Sequence, residues 1–293
     1  MNDLNIIPAG PPRKNPLSIN AINNSTVTIV ITFGIAVIYF SLMQVFDSTY
    51  YVFRQAFIEQ DPRLSMRFIE KTHVSNTLLV LLSSFVPGIG LLITIVFFST
   101  RVKSTRRVQI YAFIVFACLK ICLLLNSAVT NSLKILYGAP RPNFFAACNY
   151  RGYRDALANN NYTEYFGLTH FGRIGDILHC RDKSDINNAF MSFPSGHSSL
   201  MFAGTTFMIL VMFMFRKYHS LMYVLAVIMS SGAIVLSTWV TYTRVADYKH
   251  NTQDVLGGTI IGIIIGSIIF QFAKDQIHRS KIEIKTICEI CQI

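Results

Sequence analysis

Six apolar stretches punctuate the chain, near Val27–Phe46, Val74–Phe98, Val108–Val129, Ser198–Phe215, Leu221–Tyr242 and Val255–Phe272. They run continuously, without the alternation of a half-buried strand. About 20 helical residues cross a hydrocarbon core roughly 30 Å thick, and only helices or closed barrels satisfy their backbone groups inside lipid. The pattern therefore predicts an all-α, polytopic membrane protein with six transmembrane helices. Residues 1–26 form an N-terminal tail, 27–272 the transmembrane domain and 273–293 a C-terminal tail. Residues 1–26 are polar and the first apolar run is full length, so no cleavable signal peptide is expected.

Composition agrees with a membrane class. Of 293 residues, 52% are hydrophobic and only 14% charged, against about 25% charged in soluble proteins; the mean hydropathy is +0.44. The net charge of +11 raises nucleic acid as a partner. The cations are scattered at helix ends, however, with no aromatic-interleaved basic domain to hold a strand, so no nucleic-acid partner is expected. Topology signals and an anion site account for them.

The short loop Arg101–Arg107 carries Arg101, Lys103, Arg106 and Arg107 and no acid. Short basic loops stay in the cytoplasm. With six spans, both termini are then cytoplasmic, and the Asp47–His73 and Asn143–Phe193 loops face the lumen or the outside. Asn161-Tyr162-Thr163 in the second of these loops is a glycosylation sequon. Cys148 and Cys180 in the same loop are disulfide candidates on an oxidising side. The sequons at Asn23 and Asn24 fall on the cytoplasmic side and should be silent.

Three polar clusters border the apolar runs: Lys134 to Pro142, Ser192 to His197, and Arg244 to Asp254. The predicted topology brings all three to the lumenal or outer surface. Lys134, Arg141 and Arg244 can neutralise phosphate oxygens, Arg through a planar fork and Lys as a point charge. Ser195 and the Gly196 amide precede a helix, whose N-terminus favours an anion. His250 and Asp254 are four residues apart and share a face if that turn is helical. A carboxylate on one ring nitrogen would leave the other free to attack. His197 can protonate a departing alkoxide and later activate water. No dense Asp/Glu cluster suits a two-metal mechanism, so no metal and no cofactor are expected. Singly, each residue also has an ordinary reading: snorkelling anchors for Lys134 and Arg141, a capped turn at Pro194-Ser195-Gly196, a surface position for His250.

Lys134-x6-Arg141-Pro142, Pro194-Ser195-Gly196-His197 and Thr243-Arg244-x5-His250-x3-Asp254 together resemble the signature of the type 2 phosphatidic acid phosphatase superfamily, in particular its lipid phosphate phosphatase branch. The one departure is Thr243 where Ser is usual, which keeps the hydroxyl. The resemblance spans about Val27 to Phe272. It implies a metal-independent phosphatase, with His250 as nucleophile, Asp254 as its partner and His197 as general acid. Lys134, Arg141, Ser195, Gly196 and Arg244 would be phosphate ligands. The implied partners are the bilayer and lipid phosphates: phosphatidate, lysophosphatidate, sphingosine 1-phosphate or ceramide 1-phosphate. The alternatives are a catalytically silent scaffold of the same family and a lipid head-group phosphotransferase. The intact Lys134 and His197, and the intact first motif, favour hydrolysis. Plasma membrane is the expected location, with endoplasmic reticulum and Golgi also fitting.

Four further features carry expectations. Lys120 lies near mid-span, about 21 Å from Lys134 along the helix, and should snorkel or bond within the bundle. The Gly258-x3-Gly262-x3-Gly266 stripe suggests close helix packing, within the chain rather than across a dimer, although a homo-oligomer stays open. Pro87-Gly88-Ile89-Gly90 predicts a kink. Cys288-x2-Cys291 is half of a zinc site and suits palmitoylation or no role.

Overall fold

A computed structural model describes residues 27–42, 52–102, 104–216 and 220–290, with side chains to Ser280 except those of Tyr162 and Glu164. Its long helices are α1 (Val27–Leu42), α2 (Asn76–Ser99), α3 (Thr105–Tyr137), α8 (Gly196–Phe215), α9 (Ser220–Ala246) and α10 (Thr252–Ile290). Short helices α4 (Phe144–Ala147), α5 (Tyr153–Ala158), α6 (Tyr162–Leu168) and α7 (Ile186–Ala189) build a cap between α3 and α8. No strand occurs among the described residues.

Five helices are long and apolar enough to cross a membrane, namely α2, α3, α8, α9 and α10. The protein is a multi-pass membrane protein. Helix α1 is apolar but shorter; positions 43–46 of the expected first span lie outside the described residues, as do Asn23, Asn24 and Cys291. Two boundaries differ from expectation. Helix α3 runs past Val129 to Tyr137, so Lys134 sits in its last turn and not in the following loop. Helix α10 runs past Phe272, so the tail expected from 273 begins as helix. Hydropathy marks the part of a helix that can meet lipid, whereas the helix itself continues as long as its backbone is paired.

Helix α8 is the hub and packs on α10, α2, α9 and α3. Its contact with α10 is a backbone contact. A Cβ on Gly258 would lie 2.4 Å from the Ser195 carbonyl oxygen, one on Gly262 2.3 Å from that of Ser199, and one on Gly266 2.7 Å from that of Ala203. The glycine stripe thus faces α8 of the same chain. Buried polar groups add bonds: Asn126 Nδ2 of α3 donates to Ser199 Oγ at 3.1 Å, and Thr205 of α8 pairs with Ser237 of α9 at 2.9 Å. Apolar side chains such as Phe85, Val235 and Ile268 remain exposed, as lipid-facing positions should. Pro87 does not interrupt α2, which is continuous from Asn76 to Ser99. Lys120 lies on the exposed face of α3, not among the polar groups of the bundle.

The cap has its own aromatic core, in which Phe57, Phe144, Phe145, Tyr150 and Phe190 are buried. The Cys148–Cys180 disulfide spans 32 residues of it. Glu59, from the segment before α2, accepts from Tyr150 Oη at 2.5 Å, from the His170 amide at 2.8 Å and from Arg151 Nη2 at 3.2 Å. Residues 52–75 are thereby fastened to the cap and, through Phe53 N to Ile135 O (3.0 Å), to the end of α3.

Gly262→Leu should drive α10 off α8 and lower stability by about 1–3 kcal/mol, read as an earlier thermal midpoint in detergent. Gly88→Ala, with nothing within 4 Å of its new methyl, should leave the midpoint unchanged.

Candidate active site

The ends of α3 and α9 and the starts of α2, α8 and α10 meet beneath the cap. They enclose a cavity of about 480 Å³ lined by Lys134, Arg141, His197, Arg244, Lys249 and His250, with Phe68, Val74, Arg154, Asp185 and Asn188 also in its lining.

Lys134 is one turn from the end of α3. Gly138 closes that helix in the left-handed conformation (φ 61°), its amide donating to the Lys134 carbonyl at 3.0 Å. A side chain there would meet the Phe53 carbonyl oxygen at 1.6 Å, so both conformation and space require glycine. Arg141 follows the turn. Its Nε donates to the Asn188 carbonyl at 2.7 Å, Nη2 to Asn188 Oδ1 at 2.5 Å and Nη1 to the Lys249 carbonyl at 3.3 Å. Enclosure away from water pulls this guanidinium down to about 10, offset in part by Asp185 and Asp254. It remains a cation at neutral pH.

Ser195 occupies the N-cap position of α8, with no side-chain cap bond. Its amide donates to the Asp254 carbonyl at 2.9 Å, and its hydroxyl accepts from Ser198 Oγ at 3.1 Å. Ser195 is fully buried. A Cβ on Gly196 would stand 3.4 Å from Lys134 Nζ, so the ammonium lies against the first residue of α8. Ser195 and Asp254 are buried, whereas Gly196 keeps part of its surface accessible beside Lys134.

Arg244 occupies the last turn of α9, buried, with Nη2 donating to Asp247 Oδ2 at 2.6 Å and Nε to Thr243 Oγ1 at 3.3 Å. The chain then turns back, with Tyr248 at φ 52°, and the Arg244 carbonyl accepts from both the Lys249 and the His250 amides. Lys249 Nζ sits 4.2 Å from the centre of the Phe68 ring.

The buried His250 ring departs from the simple His–Asp expectation. Its Nδ1 lies 2.7 Å from the Ser192 carbonyl oxygen and 3.8 Å from Asp254 Oδ2. A carbonyl can only accept, so Nδ1 carries the proton and Nε2 is bare. Asp254 Oδ2 instead accepts from Ser192 Oγ at 2.6 Å and from the Asn251 amide at 2.7 Å. The second bond is a capping-box contact at the start of α10. The carboxylate therefore holds Ser192, and Ser192 holds the imidazole. Burial pushes the His250 ring well below the ordinary imidazole range; Asp254 opposes the shift and the charges of Arg141 and Lys134 add to it. The ring is neutral at pH 7 with its Nε2 lone pair available.

His197 Nε2 lies 3.3 Å from both the Val74 carbonyl oxygen and Arg244 Nη1. The motifs alone did not reveal Ser192, Val74, Asn188 or Asp247 as orienting groups. Ser192 and Asp247 were visible only as polar residues inside the second and third clusters, Val74 acts through a main-chain carbonyl that any residue type carries, and Asn188 lies outside the three motifs.

Residues 115–278, more than half of the chain, match the PAP2 superfamily. The chain belongs to the PAP2 superfamily, and within it its similarity is to lipid phosphate phosphatases. It is 28% identical over 158 residues to lipid phosphate phosphatase 1 of Arabidopsis thaliana, covering 53% of this chain and 43% of that one. It is 29% identical over 147 residues to the probable diacylglycerol pyrophosphate phosphatase 1 of Schizosaccharomyces pombe (47% and 46%). It is 27% identical over 151 residues to phospholipid phosphatase 1 of Rattus norvegicus (51% and 49%). The chain spans less than half the length of each of these relatives.

A neutral buried His250 makes stability depend on pH. The unfolded chain takes up a proton near pH 6.5, whereas the folded ring resists it. That contribution is complete above about pH 6.5 and is lost as pH falls toward the lower folded-state value. The thermal midpoint in detergent should drop across this acid window, and the drop should be shallower in His250→Asn.

Proposed function

We propose that the protein is a metal-independent lipid phosphate phosphatase that works through a phospho-histidine. One observation carries the reading: Lys134, Arg141, Arg244, His197 and His250, drawn from three separated motifs, line one cavity. The donor set is cationic side chains and imidazoles, suited to a phosphate dianion. In the proposed sequence Lys134, Arg141 and Arg244 bind the phosphoryl oxygens, with the start of α8 behind Lys134 adding its free amides. The His250 Nε2 lone pair attacks phosphorus as the P–O bond to the lipid breaks. His197 gives its proton to the departing alkoxide. Water then attacks the phosphoryl group, passing a proton to His197, and the N–P bond breaks to release phosphate and free His250. Asp254 supports His250 through Ser192.

The proposed substrates are phosphate monoesters of phosphatidate, lysophosphatidate, sphingosine 1-phosphate or ceramide 1-phosphate. The names of the relatives, which include phospholipid and lipid phosphate phosphatases, support this class. The proposed setting is the plasma membrane, with the cavity and cap outside or in the lumen and the termini in the cytoplasm. The disulfide within the cap supports that side, as does the exposed sequon residue Asn161 at the start of α6.

Two experiments test these readings. Purified protein given a lipid panel in EDTA should release inorganic phosphate, and His250→Ala should lower the rate by about 10³-fold or more. A metal requirement, or full activity in the variant, overturns the mechanism. A new phospholipid in place of free phosphate indicates a phosphotransferase, and no product at all a silent scaffold. For orientation, expression in a glycosylating cell should give a glycosidase-sensitive mass that Asn161→Gln removes. An unmodified Asn161 that a cytosolic reagent labels would reverse the topology.

A further inference from the structure

The three motifs leave His73 and Asp247 without a role, yet the two meet at the site. Asp247 is fully buried and takes three bonds: from Arg244 Nη2 at 2.6 Å, from the His73 amide at 3.1 Å and from His73 Nδ1 at 2.5 Å. His73 belongs to the segment before α2, 174 positions from Asp247 in sequence, and its side chain is 61% exposed. The next residue is Val74, whose carbonyl faces His197 Nε2 at 3.3 Å. The Lys249–Phe68 contact at 4.2 Å fastens the same segment to the same turn.

The two neighbours of His197 Nε2 differ in what they can accept. The guanidinium of Arg244 only donates, so it bonds the bare nitrogen. The Val74 carbonyl only accepts, so it bonds the N–H. An imidazolium, the form that gives a proton to a leaving group, carries N–H on both nitrogens and so selects the carbonyl. Whatever holds Val74 in place therefore supports the acid form of His197. This parallels His250, whose N–H goes to the Ser192 carbonyl while Asp254 holds Ser192.

We propose that His73 and Asp247 are a positioning pair for the proton-donating step: Asp247 grips His73, which presents the Val74 carbonyl to His197 Nε2, and the same carboxylate aims Arg244. The inference rests on the phosphatase reading with His197 as the acid. Neither residue touches the reacting atoms. Asp247 is committed to Arg244 as well, so His73 is the cleaner point of intervention.

The test compares kcat/KM for phosphatidate, whose alkoxide needs a proton to leave, with that for p-nitrophenyl phosphate, whose aryl anion does not. The ratio of the two is independent of how much of a preparation is folded. His73→Ala should lower the phosphatidate value about tenfold more than the aryl value. His73→Asn, whose side-chain amide can donate where Nδ1 does, should restore most of that ratio. Equal losses on both substrates in His73→Ala, no loss, or an Asn variant no better than the Ala one would overturn the proposal while leaving the phosphatase reading intact. Absence of phosphate release by the wild type, or full release by His250→Ala, would overturn both.

Discussion

The site depends on how closely α8 and α10 approach. Gly258, Gly262 and Gly266 let the backbone of α10 lie directly on the Ser195, Ser199 and Ala203 carbonyls of α8. No larger residue permits that distance, because each Cβ would fall inside 3 Å of a backbone oxygen. At the cap end, the Ser195 amide reaches the Asp254 carbonyl at 2.9 Å, which joins the second motif to the third. In lipid, where apolar surface drives little helix association, such van der Waals contact and a few buried polar bonds hold a bundle together. Lys134 then lies against Gly196, and Arg141 is drawn in through Asn188 and the Lys249 carbonyl.

Electrostatics inside this frame follow one pattern. Each imidazole has a ring nitrogen beside a main-chain carbonyl, that of Ser192 for His250 and that of Val74 for His197, and in each case a buried carboxylate grips the segment that supplies it. Asp254 grips Ser192, and Asp247 grips His73. A rigid carbonyl dipole orients a ring without adding a full negative charge to the cavity. The carboxylates stay one residue further from the cavity, where they offset part of the repulsion among Lys134, Arg141, Arg244 and Lys249.

Much of this was legible in the residues. The apolar runs located five long helices because hydropathy over about 20 residues is a strong signal in lipid. Motif spacing selected Lys134, Arg141, His197, Arg244 and His250, and these line one cavity. Helices α3 and α10 run past their apolar stretches because a helix continues beyond the part lipid surrounds. Lys120 reads from sequence as a charge in search of a partner, but its direction around α3 is a tertiary property, and it points outward. The Gly stripe announced close packing without naming its partner.

By itself, the sequence determined a membrane-embedded helical protein and singled out the cations and the two histidines that line its cavity. Residue type dictates both properties: apolar length sets the spans, and Lys, Arg and His carry the positive charge and the titratable ring nitrogens. Tertiary structure alone decided that the Ser192 carbonyl rather than Asp254 accepts the His250 Nδ1–H, that Gly196 lies against the Lys134 ammonium, and that His73 reaches Asp247. Those contacts are made by carbonyls and by loops far apart in the chain. A carbonyl leaves no mark on residue identity, and its position exists only once the helices and cap have packed.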